Sequence, residues 1–174
     1  MPKHDFDTLD GMTKVVQQMV GQMAELTFTS PEDDWISTMF IYSPKGIQVM
    51  ALPGEMFETQ TTKDLLAELL KQFVASQGAY RYALLLNAHM APMPKDEFED
   101  WQQTEERVSE RPNAVEVLVL ISGDAEQEQL THSVIEFTAD GIRRAGPWEV
   151  WPTDDGGRFS QLNAYLRDVL KEDA

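Results

Sequence analysis

Apolar side chains recur at helical spacing from about Asp7 to Leu26. Val15, Val16, Met19, Val20, Met23 and Leu26 form one stripe, with Lys14, Gln17, Gln18 and Gln22 between them. Gly11 and Gly21 weaken this helix by up to about 1 kcal/mol each relative to alanine, so its stability has to come from packing the stripe on another element. A wider apolar face runs through Leu65, Leu66, Leu69, Leu70, Phe73 and Val74, opposed by Lys63, Asp64, Lys71 and Gln72, and predicts a helix over Thr62 to Gln77. Thr61 is the expected N-cap, with Asp64 three residues on, and Gly78 is placed to stop the helix.

The remaining pattern is one of strands. Trp35 to Ser43 is aromatic and β-branched, Pro44-Lys45-Gly46 supplies a turn, and Ile47 to Leu52 returns, which reads as a hairpin. Apolar residues fall on both faces of its first strand, as expected where layers cover both sides. The helix ending at Gly78 leads directly into a strand over Ala79 to Ala88, a step that resembles a crossover packing back onto a sheet. Ala114 to Ser122 and Leu130 to Thr138 flank a polar turn and form a second hairpin. Trp148 to Trp151, with prolines on both sides, suits a sheet edge. A final helix is expected after Asp154-Asp155-Gly156-Gly157, carrying Phe159, Leu162, Tyr165, Leu166, Val169 and Leu170.

Between the third strand and the second hairpin the composition shifts. Lys95 to Glu110 carries seven acids against Lys95 and Arg107, and Phe98, Trp101 and Val108 share a helical face with Glu105. This predicts a short acidic helix ended by Pro112-Asn113. The whole pattern predicts an α+β fold: a single domain over 1–174, with a mostly antiparallel sheet of about six strands, from two hairpins and single strands, and three or four helices.

Charge narrows the partners more than any motif does. The chain holds 30 acidic against 14 basic side chains, a formal net charge of −16. Such a surface repels nucleic-acid phosphates and anionic lipid, so neither direct nucleic-acid binding nor membrane attachment is expected. No apolar run approaches the roughly 20 residues that span a bilayer, and the N-terminus lacks a signal-peptide pattern; a cytoplasmic location is expected. Cysteine is absent, which removes disulfides, thiolate metal sites and thiol catalysis.

Candidate chemistry is thin. No phosphate loop, calcium loop or nucleophile elbow occurs, and Ser122-Gly123-Asp124 belongs to a turn for backbone reasons. Of the three histidines, His4 lies near the terminus, while His89 and His132 fall in strands. Alternation puts Asn87 beside His89 and Glu136 beside His132; if those strands paired suitably, Asn87, His89, His132 and Glu136 could converge as a catalytic or metal-holding set. No other catalytic candidate, cofactor or metal site is indicated. Met90 and Met93 flank prolines, where they either cap the core or meet a partner. The Arg143-Arg144 doublet is expected to neutralise nearby carboxylates.

The preferred reading is a non-enzymatic binding or accessory protein whose partner is a basic protein or a second copy of the chain. One alternative is a metal-assisted hydrolase using His89 and His132. Another is an acidic mimic of nucleic acid that inhibits a DNA-binding protein. Residues 35–52 hold no acid, which does not suit a continuous negative strip.

Overall fold

A computed structural model describes residues 6–91, 94–104, 106 and 110–150. The first helix, α1, spans Leu9–Thr27 and is opened by Thr8, whose side chain accepts the Gly11 N–H at 3.0 Å. Met12, Val15, Val16, Val20 and Ala24 are buried, whereas Leu26 at the end of the expected stripe is 83% exposed. The stripe leaves the core in the last turn. There Arg144 Nη1 donates to the Ala24 carbonyl at 3.3 Å, giving a helix with no basic residue in its own last turn a cation at its negative end.

Strands β1 (Thr38–Ser43) and β2 (Gly46–Ala51) form the first hairpin, with Ser43 opposite Gly46 across the Pro44-Lys45 turn. Helix α2 (Gln60–Gln77) starts two residues earlier than its hydrophobic pattern alone indicates. Its N-cap is Thr59 rather than Thr61, because Thr59 and Thr62 exchange side-chain and backbone hydrogen bonds as a reciprocal capping box. Gly78 ends it with φ +61°, a left-handed conformation that suits glycine. Strand β3 (Arg81–Met90) follows, then α3 (Lys95–Gln102), which stops well short of Glu110. The second hairpin is β4 (Val115–Gly123) and β5 (Glu128–Phe137). Strand β6 (Arg143–Val150) begins earlier than expected, because a register shift between Ser133 and Ile135 lets the sheet accommodate Gly146 and Pro147. The helix expected after Asp154 lies outside the described residues, as do His4, Met93 and Trp151.

The fold is α+β. The six strands of the described residues join one sheet in the order β2-β1-β3-β4-β5-β6, and every neighbouring pair is antiparallel. Because β2 and β3 both run opposite to β1, they point the same way on its two sides, with α2 making the crossover between them. Two cores form on the two faces. On one, α1 packs through Met12, Val16 and Val20 over Phe40, Ala83, Leu85, Leu118 and Leu120. On the other, α2 packs through Leu66, Leu70 and Val74 over Met39, Ile41, Tyr82, Leu84, Val119 and Ile121. The sheet is thus the middle of three layers. Leu65 and Leu69 of α2 stay about half exposed, so only part of that helix's wide apolar face is used. No helix among the described residues is long and apolar enough to cross a membrane.

Candidate functional site

Strand register decides the fate of the four polar candidates. Asn87 lies opposite Leu118, on the α1 face, and its Nδ2 donates to the Trp35 carbonyl at 2.7 Å. His89, two residues on, shares that face and stands opposite Glu116. His132 instead lies opposite Val119, which in turn faces Leu86, and both belong to the α2-side core. Glu136, four residues further along β5, keeps that parity. The two pairs therefore occupy opposite faces of the sheet and do not converge. His132 is nine-tenths buried, with Glu149 3.7 Å from its Nε2. Among the described residues no group of three or more His, Asp or Glu side chains is placed to hold a metal ion.

Other polar candidates have local tasks. Ser122 is buried and shares a 2.7 Å hydrogen bond with Thr13 of α1, fixing that helix on β4. Asp124 accepts the N–H groups of Glu126 and Gln127 at 2.8 and 2.7 Å and so builds the β4–β5 turn. Arg143 meets carboxylates as its sequence context suggests: Glu116 at 3.3 Å and Asp34 at 3.9 Å. It also donates to the Pro31 carbonyl at 2.7 Å and lies over the Phe137 ring. Met90 packs partly against the α2-side core. A shallow cleft of about 170 Å³ lies between α1 and β5–β6, lined by Thr13, Gln17, Thr131 and Trp148 among others. This is below the ~300 Å³ at which small-molecule pockets begin, and Gln17 and Thr131 are already bonded to each other at 3.1 Å.

The two edges of the sheet differ. The β6 edge carries Arg143, Arg144 and Glu149, an exposed proline at 147 and the register shift opposite Ser133 and Ile135. These are the devices by which proteins block edge-to-edge pairing. The β2 edge, Gly46-Ile47-Gln48-Val49-Met50-Ala51, has none: no charge, no proline and an unbroken register with β1. Lys45 is the only charged residue between Asp34 and Glu55, in a chain whose net charge is −16.

The hydrogen-bond phase of this edge follows from one contact. The Leu52 N–H donates to the Ser37 carbonyl at 2.7 Å, so Ser37 and Leu52 are a bonded pair. Alternation along the ladder then makes Met50, Gln48 and Gly46 the β2 residues bonded to β1. The N–H and C=O groups of Ile47, Val49 and Ala51 point the other way, out of the sheet. Val49 and Ala51 are exposed, Val49 by 57%. The lack of acids over residues 35–52 is legible in the sequence, but its bearing on an edge is not, because only the strand order makes β2 terminal.

Comparison of the chain with known protein families, with curated proteins and with solved structures finds no match.

Proposed function

We propose that this protein is a non-enzymatic binding module that takes up an extended protein segment along the edge of β2 that no described strand pairs. The observation that carries this reading is the contrast between edges: β6 is guarded by charge, proline and a register shift, and β2 is left uncharged and regular. An added strand would satisfy the outward N–H and C=O groups of Ile47, Val49 and Ala51, giving main-chain affinity, while Val49 and Ala51 offer side-chain contact on one face. The placement of Ser122, Asp124 and Arg143 in structural hydrogen bonds supports a binding role over a catalytic one.

The experiment is affinity capture at low salt with the tagged protein and with a Val49→Lys variant, from the same cells. Val49 is exposed and its amide is not used by β1, so the variant keeps the fold. The expected outcome is a captured protein that binds the parent chain and is lost with Val49→Lys. An identical set of captured proteins from both baits overturns the reading.

A further inference from the structure

We infer that the segment taken up by β2 is the β2 strand of a second copy of this chain, paired antiparallel about a two-fold axis at Val49. This rests on the binding reading above and names its occupant. The edge is self-complementary. With Val49 opposite Val49 of the second copy, Ile47 of each chain lies opposite Ala51 of the other, and the outward N–H and C=O groups of all three residues are satisfied reciprocally. No other register centred on this strand uses the whole set. Gln48 then lies beside Met50 of the second copy on the α2 face, so no unlike pair of charged and apolar groups is forced together. The result is a continuous sheet of twelve strands, six from each copy, with both α1 helices on one face and both α2 helices on the other.

Charge at the ends of the strand favours the same arrangement. Lys45 precedes β2, and Glu55 is the first acid after it. Antiparallel pairing about Val49 sets Lys45 opposite Pro53 of the second copy, next to the corner that carries Glu55. Lys45 is exposed and donates to the half-buried Gln77 at 3.4 Å, and Glu55 is exposed as well. Each two-fold pair therefore places one cation near one anion twice. A parallel arrangement would bring the two lysines together.

The net charge gives this association a diagnostic salt dependence. Two bodies of charge −16 repel, and added salt screens that repulsion over about 3–10 Å, depending on ionic strength, while leaving the main-chain hydrogen bonds largely intact. Self-pairing through an uncharged edge is strengthened by salt. Docking of a basic partner on the acidic surface is weakened by it.

The test is sedimentation equilibrium of the parent chain and of Val49→Lys between about 50 mM and about 1 M salt, with amide hydrogen exchange on the same samples. The expected result is a dimer whose dissociation constant falls as salt rises. Protection should appear at the Ile47, Val49 and Ala51 amides on going from dilute to concentrated samples. Val49→Lys sets two ammonium groups at the axis and should weaken the dimer about tenfold or more. Val49→Pro deletes an outward N–H from each copy without touching the β1 ladder and serves as the second variant. A monomer at every salt and concentration overturns self-pairing, as does a dimer that neither variant weakens. If the chain is monomeric yet captures a different protein that Val49→Lys releases, the β2-edge reading stands and only its occupant changes. If neither association depends on Val49, both fall.

Discussion

Tyr82 is fully buried in the α2-side core, and its ring lies directly over the backbone of Gly123. A Cβ at 123 would stand 2.5 Å from the Tyr82 hydroxyl oxygen and 2.8 Å from the carbon bearing it. A buried ring has no free direction in which to retreat, so Gly123→Ala should cost about 1–3 kcal/mol, the usual range for overpacking. Urea denaturation checks this. Adding Tyr82→Phe removes the nearest atom, and the double variant should be destabilised by less than the sum of the two single changes. At this scale the sequence was informative about type and silent about contact. Ser122-Gly123-Asp124 reads as a turn, and Asp124 does build one, but the need for glycine comes from a tyrosine 41 positions away. Asn87, His89, His132 and Glu136 show the same limit. Alternation correctly pairs residues within each strand; which face each pair takes depends on the register between strands, and no local pattern encodes that.

In the connection between α1 and β1, the Asp33 carboxylate ties down the first residues after the helix. Asp33 accepts the Thr29 and Ser30 N–H groups at 2.7 and 2.9 Å, and these two bonds hold its pKa below the ordinary value of 3.8. A lowered folded pKa means the stabilisation is present above the unfolded value and is lost as pH falls through the folded one. Thermal melts of the parent chain should therefore show a loss of stability below about pH 4 to which this loop contributes. Asp33→Asn, which cannot titrate, should flatten that part of the profile. Elements themselves were largely legible. The first hairpin, both long helices and the second hairpin lie where hydropathy places them, because each has a clean period bounded by proline, glycine or a cap. Elements without such a period were not: α3 ends at Gln102 although its acidic composition continues, and β6 contains a glycine and a proline that read as loop. The pattern points to Thr61 as the cap, and the reciprocal bond between Thr59 and Thr62 puts it at Thr59 instead.

Over the whole molecule, a net charge of −16 works against compactness, since like charges are held closer in the folded state than in the unfolded chain. Unfolding by urea at fixed, low protein concentration should become harder as sodium chloride is raised towards about 0.5 M, and the Val49→Lys variant should show the same trend. That comparison separates screening within one chain from association between two. Fold class could be read from element order, but strand order could not. The significance of an uncharged stretch at residues 35–52 therefore emerged only once β2 stood at the end of the sheet. The order of strands also bears on biogenesis. Every neighbouring pair in the sheet joins consecutive strands except β1 with β3, which must wait for the whole of α2 to be synthesised. On the ribosome the β1–β2 hairpin emerges first, with both of its edges open and its only charge at the turn. Until β3 arrives, the nascent chain exposes the edge of β1 as well as that of β2, so this is an interval in which a growing chain gains from a chaperone's cover.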